Sequence, residues 1–399
     1  MSWEKVKLSE CCLSITDGDH LPPPKVDEGI PFVTIANIDS SNQFDFSNTM
    51  FVPEEYYEKL DTKRKAQVGD ILYSVVGSFG IPVYIKEARK FIFQRHIAIL
   101  RPNEKILPRF LYYTMLSRDF YAKADATAIG AAQRTVSLSA LRNIEIAIPN
   151  IEKQEKIANI LSVYDNLIEN NQKQIKLLEE AAQRLYKEWF VDFRFPGYEN
   201  TKIVDGVPER WRVDAVGSIV SLLSGYAFKS DSFDDKGEYK IVTIKNVQDG
   251  HFDGDNVNRI VDIPSKMPVH CELFDGDILL SLTGNIGRVC LVIGENYVLN
   301  QRVAKLKSEY PAYAYCLFRS KDMFDEMNNL ANGAAQQNLS PIRTSNVQIV
   351  IPDDNKLKEF EMNVQPIIKK IIILNKQNCK LKEARDRLLP KLMSGELEV

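Results

Sequence analysis

The chain has 399 residues, 44% of them hydrophobic, and a formal net charge of −3. This length allows two or three domains, and the apolar share is that of an ordinary folded protein. No apolar run approaches the roughly 20 residues that span a bilayer, and the N-terminus lacks the apolar core of a signal peptide. The slight acidity argues mildly against a nucleic-acid-binding protein, although a basic face can coexist with acidic helices.

The cysteines give no sign of a metal site or a disulfide framework. No C-x-x-C pair occurs, and no histidine stands at zinc-finger spacing from a cysteine. We therefore expect reduced core thiols in a cytoplasmic protein. The six are Cys11, Cys12, Cys271, Cys290, Cys316 and Cys379.

Residues 1–150 form the first predicted domain, in which short β-like runs are broken by turn residues. Strands are predicted in Ile30–Ile38 and Gly69–Gly77, and a helix in Pro108–Ser117. The string Thr16–His20, TDGDH, has acids and a histidine that could suit a metal. The corresponding place further along the chain has Ser-Gly-Tyr, so we predict an exposed loop and no metal site.

Residues 151–195 contain no glycine or proline before the final phenylalanine and predict one long helix. Apolar positions alternate in spacings of three and four, the pattern of a helix that packs against another helix. A polar residue within such a seam costs stability but can fix register and partner. The predicted seam is Ile157, Ile160, Tyr164, Leu167, Asn171, Leu178 and Leu185.

Residues 196–352 repeat the vocabulary of the first domain in the same order. GDILYSVVGSFG at Gly69 returns as GDILLSLTGNIG at Gly276, a shift of 276 − 69 = 207. The Gln-Arg pair at Gln94 returns at Gln301 with the same shift. Several matches in one order indicate a duplicated unit.

Residues 353–399 predict a second long helix, so each copy ends in one. Pro366 interrupts it, and we expect either a kink there or a long helix that begins at the proline. We predict an α+β fold with two similar β-rich domains, whose helices pair as an antiparallel coiled coil with pseudo-twofold symmetry. The second seam is Ile367, Ile371, Leu374, Asn378, Leu381 and Leu388.

Motifs for catalysis are missing from the sequence. There is no phosphate-binding G-x-x-x-x-G-K-[ST] loop and no G-x-S-x-G nucleophile elbow. The glycines of GSFG and GNIG predict turns between strands. Three hypotheses remain: a DNA-binding protein, a scaffold whose domains bind protein, and a DNA-cleaving enzyme with an unrecognised site.

Amide and guanidinium side chains on predicted turns favour DNA binding. Arginine pairs with guanine, and glutamine or asparagine with adenine, in the major groove, while lysines suit phosphates. The residues that flank the predicted turns are similar in the two copies, whereas the residues at the loop tips differ. This pattern suits one scaffold that recognises two different targets. The candidates are Lys63, Arg64, Gln94, Arg95, Gln133 and Arg134 in the first copy, and Lys245, Asn246, Arg288, Gln301, Arg302, Gln336, Gln337 and Asn338 in the second.

With these features the chain resembles the specificity subunit of a type I restriction-modification system over essentially its whole length. The resemblance rests on LYKEWFVDFRFPG (Leu185–Gly197), on ARDRLLPKLMSGEL (Ala384–Leu397) and on the two GDIL strands at Gly69 and Gly276, each of which is followed by glycines. It implies two target recognition domains that recognise the halves of a bipartite, asymmetric sequence in double-stranded DNA.

The resemblance also implies a division of labour between subunits. This subunit binds no cofactor and has no chemistry of its own. Two modification subunits supply methyl transfer with S-adenosylmethionine, and two restriction subunits add cleavage that depends on ATP and magnesium.

Overall fold

The computed structural model describes residues 3–39, 41–131, 133–255, 257–332 and 338–399. The chain divides into two compact units. The first is formed by two segments of the chain and the second by one. Residues 1–169 and 380–399 form the first unit, and residues 170–379 form the second. Both long helices contribute to both units, whereas the repeat seen in the sequence places one helix after each domain.

In the part of the chain that the structure describes, the first unit contains nine strands and four short helices before the first long helix. The strands are β1 (Glu4–Lys7), β2 (Cys12–Asp17), β3 (Ile30–Val33), β4 (Met50–Val52), β5 (Ile71–Ser74), β6 (Pro82–Tyr84), β7 (Ile92–Phe93), β8 (Ile97–Pro102) and β9 (Glu145–Ile148). The helices are α1 (Glu54–Lys59), α2 (Pro108–Leu116), α3 (Arg118–Thr127), α4 (Leu138–Asn143) and α5 (Ile151–Tyr186).

Within the described residues, these strands form three sheets. A four-stranded antiparallel sheet has the order β2-β8-β5-β6, a three-stranded sheet has the order β4-β3-β7, and β1 pairs with β9. Every residue of β5 is buried, because this strand lies between two hydrophobic clusters: Ile71 and Tyr73 pack into one and Leu72 into the other. The predicted helix at Pro108 is confirmed and has its proline in the first turn.

Among its described residues, the second unit contains twelve strands and the other helices. The strands are β10 (Ile203–Val204), β11 (Val207–Pro208), β12 (Arg212–Ala215), β13 (Ser221–Ser224), β14 (Tyr239–Val242), β15 (Asn258–Ile260), β16 (Glu272–Leu273), β17 (Ile278–Ser281), β18 (Val289–Leu291), β19 (Tyr297–Leu299), β20 (Val303–Lys307) and β21 (Gln348–Ile351). The helices are α6 (Pro311–Phe318), α7 (Lys321–Asn332), α8 (Pro341–Ser345) and α9 (Asp354–Ser394).

The sheets of the second unit repeat those of the first. The order β13-β20-β17-β18 matches β2-β8-β5-β6, and β12 pairs with β21 as β1 pairs with β9. The order β15-β14-β19 matches β4-β3-β7, and the parallel pairing of β14 with β19 corresponds to that of β3 with β7. The strand β16 is added at the edge, beside β19. The duplication predicted from the sequence is therefore confirmed as a duplication of fold.

The long helices pair antiparallel, which is visible within the second unit alone. Asn171 contacts Asn378 through a side-chain hydrogen bond, whereas Tyr186, further along α5, packs edge-to-face against Phe360, which is earlier in α9. In the first unit Arg385 donates to the carboxylate of Asp165 at 2.7 Å. The same carboxylate accepts from the Tyr113 hydroxyl of α2 at 2.6 Å, which ties the helix pair to the β-rich domain.

The helix α9 runs without interruption through Pro366, so the prediction that the long helix begins there is wrong. The proline lacks the donor that would bond the carbonyl of Met362. Both residues are exposed, so this carbonyl can bond water instead. The first helix is shorter than predicted, because α5 ends at Tyr186 and a π-helical turn follows over Lys187–Val191.

Burial tests the predicted seams residue by residue. Asn171, Asn378, Ile157, Ile371 and Leu374 are buried as predicted. Partly buried positions are Ile160, Tyr164, Leu178, Leu185, Ile367, Leu381 and Leu388.

Leu167 is wrong as a seam residue. It is 45% exposed, and its neighbour Ile168 is buried instead. One residue turns a helix by about 100°, so a seam placed one position away faces solvent.

The cysteines largely follow expectation. Cys11, Cys271, Cys290 and Cys316 are buried free thiols, and burial raises the pKa of Cys11 to about 11. The expectation of a core position is wrong for Cys379, which is exposed on α9.

Candidate nucleic-acid interface

The end of β2 positions the Gln94–Arg95 turn in the first unit. The backbone amide of Asp19 donates to the Phe93 carbonyl at 2.8 Å, and the Arg95 amide donates to the Asp19 carbonyl at 2.9 Å. A side chain at Gly18 cannot fit, because its Cβ would lie 2.1 Å from the Phe93 oxygen. This close approach explains why glycine follows β2.

The hairpin loop between β5 and β6 gathers two further segments. The Val75 amide donates to the His96 carbonyl at 2.9 Å, and the Gly77 amide donates to the Arg134 carbonyl at 2.9 Å. Val76 also forms a β-bridge with Thr135. The predicted candidates Gln94, Arg95, Gln133 and Arg134 therefore meet around one loop. We call residues 18–20, 75–80, 94–96 and 133–136 the first loop edge.

Arg134 is held in place on this edge. Its guanidinium bonds the Asp125 carboxylate, donates to the Asp125 carbonyl at 2.7 Å and lies over the Phe79 ring at 5.6 Å. Phe79 in turn stacks on Tyr121 at 5.6 Å between ring centroids. The side chain remains half exposed, so Arg134 presents an oriented donor to solvent.

The second unit forms the same network with other side chains. The Gln301 amide donates to the Tyr226 carbonyl at 3.0 Å, and the Leu282 amide to the Arg302 carbonyl at 3.0 Å. Thr283 bridges to Asn338 as Val76 bridges to Thr135. We call residues 225–226, 282–287, 300–302 and 338–339 the second loop edge.

A cleft of about 500 Å³ opens at the second loop edge. Gln301, Arg302 and Asn338 line it, and all three are exposed. The Thr283 hydroxyl, also at the cleft, is buried and has no hydrogen-bond partner among the residues described. Gln336 and Gln337 lie outside the described residues.

Asn246 cannot contact a ligand directly, so its prediction as a DNA-binding residue is wrong. It is fully buried, accepts from the Thr243 amide at 2.8 Å and donates to the Asp253 carbonyl at 2.8 Å. Asn37 accepts from the Thr34 amide in the same way at 2.9 Å. The amide at these positions holds a turn that both copies share.

The remaining candidates lie elsewhere in their units. Lys63 is exposed on a 3₁₀ turn, and Arg64 lies 3.6 Å from the Asp17 carboxylate. Lys245 is exposed, and the guanidinium of Arg288 bonds the Gln248 side chain. The structure does not bring Lys245 or Arg288 into the second loop edge.

The TDGDH string is more ordered than the exposed loop that we predicted. Asp19 is buried and accepts a hydrogen bond from the Tyr56 hydroxyl at 2.5 Å. Burial, reinforced by this bond, raises the pKa of Tyr56 to about 12. His20 bonds Asp17 at 2.7 Å. Sequence reasoning missed Tyr56 because it lies 37 positions from Asp19.

No metal or membrane site emerges from the residues described. Among them, no group of three or more His, Cys, Asp or Glu side chains is placed to hold a metal ion. Over the same part of the chain, no helix combines the length and apolar character needed to cross a bilayer. GSFG and GNIG join antiparallel strands, as predicted.

The chain therefore contains one backbone frame twice, with different side chains at the two loop edges. Residues 2–180 and 208–383 match the family model "Type I restriction modification DNA specificity domain". The chain belongs to this family.

Curated relatives agree with this assignment. The chain is 30% identical to the type I restriction enzyme MjaIX specificity subunit of Methanocaldococcus jannaschii, over 75% of this chain and 71% of the relative. It is 27% identical to the MjaVIII specificity subunit of the same organism, over 83% of this chain and 79% of the relative.

A solved structure shares the fold. The type I restriction-modification S subunit of M. genitalium aligns with a TM-score of 0.56 and 18% identity, over 98% of this chain and 96% of that one.

Proposed function

We propose that this chain is the DNA specificity subunit of a type I restriction-modification complex and recognises a bipartite, asymmetric sequence. The observation that carries the proposal is the pair of loop edges. The backbone bonds around Val75 and Leu282 are equivalent, whereas the bridged residues Thr135 and Asn338 differ. A duplicated protein with one invariant target would need no such difference.

The side chains at these edges suit the major groove. The Asn338 amide matches adenine, which offers N7 and N6, and arginine matches the O6 and N7 of guanine. Arg95 and Arg302 are both exposed and lie on corresponding turns, although the backbone bonds match Arg95 with Gln301 and His96 with Arg302. The two arginines are proposed to supply this chemistry to the two half-sites. Lys63, exposed on its turn, is proposed to contact phosphate and to carry no sequence information.

The proposed domains are 1–150 and 196–352, each followed by a helical segment at 151–195 and 353–399. The helices are proposed to set the distance between half-sites. Two modules recognise one face of a duplex best when their sites lie about one turn apart, ~10 base pairs.

Catalysis is assigned to partners. Two modification subunits with S-adenosylmethionine, and two restriction subunits with ATP and magnesium, are proposed to assemble with this chain in the cytoplasm. Exposed apolar residues on the long helices support such docking: Val163 and Leu167 in the first unit, and Leu177, Met362 and Ile373 in the second.

The test is selection of bound duplexes from a random-sequence library by the chain co-purified with its modification subunit. We expect two short conserved blocks separated by a spacer of fixed length and variable sequence. Enrichment of a single continuous block, or none, contradicts the proposal. Cleavage or methylation of DNA by the purified chain alone contradicts the assignment of catalysis to partners.

A further inference from the structure

Arg134 stands on a backbone segment that is fixed from two sides. Ile129 and Thr135 exchange backbone hydrogen bonds of 3.0 and 2.8 Å, which close the loop that carries it. The Arg134 carbonyl accepts from the Gly77 amide at 2.9 Å, which ties this loop to the hairpin between β5 and β6. The fold therefore sets the point on the first loop edge from which the Arg134 side chain leaves the backbone.

The guanidinium of Arg134 is held at two nitrogens and on one face. Nη1 bonds the Asp125 carboxylate, and Nη2 donates to the Asp125 carbonyl at 2.7 Å. The group lies over the ring of Phe79, which is stacked on Tyr121 with an interplanar angle of 7°. A planar guanidinium with a ring on one face and an acceptor beside two of its nitrogens has little freedom to rotate.

Part of this guanidinium is not used by the protein. Arginine carries five N–H donors, and in the described part of the chain only Asp125 accepts from the side chain of Arg134. The Nε–H therefore has no partner there, and each Nη nitrogen keeps a second N–H. The side chain is 45% exposed. Several N–H groups in one plane remain available to a ligand with two adjacent acceptors.

The carboxylate of Asp125 favours a base over a phosphate as that ligand. A negative charge beside the guanidinium opposes the attraction of a phosphate at longer range. A phosphate contact depends mainly on charge and carries no sequence information, whereas two bonds to a base edge need donors in a fixed plane. The pairing of Arg134 with Asp125 weakens the first kind of contact and orients the donors for the second.

The second copy lacks this arrangement. Its hairpin aligns with the shift of 207 found at Gly69, and the bridged residues Thr135 and Asn338 differ by 338 − 135 = 203. A ring, a carboxylate and a guanidinium are therefore replaced by an aliphatic side chain and two amides, so the arrangement concerns the first half-site only. By these shifts the places of Phe79, Asp125 and Arg134 are taken by Ile286, Asn328 and Gln337.

We propose that Arg134 recognises a guanine in the first half-site through two N–H groups, and that Asp125 and Phe79 are positioning residues for it. This inference rests on the proposed function and deepens it. Guanine presents two adjacent acceptors, N7 and O6, in the major groove, whereas adenine and cytosine present a donor there and thymine a single acceptor. Two donors in one plane are therefore matched by guanine alone, and the arginine donates at any pH at which the protein is folded.

The first experiment repeats the random-library selection with substitutions of the pair. Arg134→Ala should reduce the preference for one guanine about 5- to 100-fold. Asp125→Ala should reduce it at the same position about two- to fivefold, the scale of an exposed ion pair. Asp125→Asn should lose less, because its amide oxygen still accepts. The other half-site should be unchanged in every variant, which shows that the protein is folded.

A matched control removes a different acid from the same helix. Asp119 of α3 pairs with Lys123 at 2.7 Å and makes no bond to Arg134. Asp119→Ala changes the net charge as Asp125→Ala does and should leave the guanine preference intact. The double variant of Arg134→Ala with Asp125→Ala should lose no more preference than Arg134→Ala alone, because Asp125 acts through Arg134.

The second experiment separates positioning from a merely structural role. Binding to duplexes without the target should be equal or tighter in Asp125→Ala, because a negative charge near the phosphates is removed, while discrimination for guanine falls. Loss of local structure would weaken both together. In the target, 7-deazaguanine at the assigned position removes N7. It should weaken binding by the unmodified complex and cause no further loss in Arg134→Ala.

The outcomes distinguish this inference from the proposed function. An Arg134→Ala variant that weakens binding to all duplexes alike, without loss at a guanine, assigns the residue to phosphate and overturns the inference. Unchanged guanine preference in Asp125→Ala, or an equal loss with 7-deazaguanine in both proteins, also overturns it. A library with no bipartite enrichment instead overturns the proposed function itself.

Discussion

Asn171 Nδ2 donates a hydrogen bond to Asn378 Oδ1 at 2.9 Å, and both residues are more than nine-tenths buried between the long helices. Each amide is the other's partner in an apolar seam. Removal of one leaves a buried polar group unsatisfied, whereas replacement of both by apolar residues does not. The pair therefore couples stability to helix register.

The first prediction concerns this pair. Asn171→Ala should lower the free energy of unfolding by about 1–3 kcal/mol, because the Asn378 amide loses its partner. The double variant Asn171→Leu with Asn378→Leu should recover most of that loss. Chemical denaturation of the co-purified complex and of the chain measures both, with the exposed Asn159→Ala on the same helix as the control. Equal losses in the single and double variants would contradict the pairing.

Much of this architecture follows from local sequence. The repeat, the glycine-containing hairpins at Gly77 and Gly284, and the two buried asparagines were predictable because each depends on residues close together in the chain. The loop edges were predictable in part. The order of the repeat indicated that Gln94–Arg95 and Gln301–Arg302 lie on corresponding turns, but the residue-by-residue match was wrong by one position, because the backbone bonds match Arg95 with Gln301.

The errors concern features that depend on tertiary packing, which residue type and spacing alone do not reveal. Asn246 has the composition of a surface turn, but the Asp253 carbonyl and the surrounding core bury it. Asp19 accepts a hydrogen bond from Tyr56, which lies 37 positions away. Whether Leu167 faces the seam depends on the phase of its helix, which residue spacing alone does not determine. Pro366 is tolerated because it lies on an exposed helical face.

The second prediction uses a carboxylate that caps a helix. Glu361 of α9 accepts from the backbone amides of Ala312 and Tyr313 at the start of α6, at 3.0 and 3.3 Å. Burial raises its pKa above the ordinary 4.5, and the two amides oppose that rise. The folded state therefore binds this proton more tightly than the unfolded state, so the contribution of Glu361 to stability falls as pH rises from about 4.5 through the raised pKa.

Glu361→Gln removes the titration and keeps an acceptor. Relative to the unmodified chain, this variant should gain stability as pH rises through that interval. Unfolding free energies from pH 4 to 7 measure the difference, with the exposed Glu180→Gln as the matched control. A difference that stays flat, or that falls with pH, would show that the sign is wrong.

The third prediction separates phosphate contact from base recognition. Lys63→Ala should weaken binding to all duplexes alike and reduce the slope of log affinity against log salt by about 0.9, the value for one phosphate contact. Lys5→Ala is the control, because Lys5 is an exposed lysine on β1 and not on the 3₁₀ turn that carries Lys63. Titrations at several salt concentrations test this, and a sequence-dependent loss would assign Lys63 to base recognition instead.

The fourth prediction concerns the helices as a spacer. Insertion of one heptad after Glu169 and another after Cys379 preserves the contacts of each compact unit, because the unit boundaries fall there. Seven residues add about 10.5 Å of helix. The selected DNA should keep both half-sites while the spacer lengthens by up to about three base pairs. An unchanged spacer would show that the helices do not set the distance.

The central claim is that each copy recognises its own half-site. It is tested most directly by substituting one residue in each copy separately. Binding of the complex to duplexes with single base changes in either half-site is measured for Arg95→Ala and for Asn338→Ala. Each variant should lose about 5- to 100-fold discrimination at one position of one half-site, in opposite halves, and keep the other half intact. Loss in both half-sites from either single variant would contradict independent recognition by the two copies.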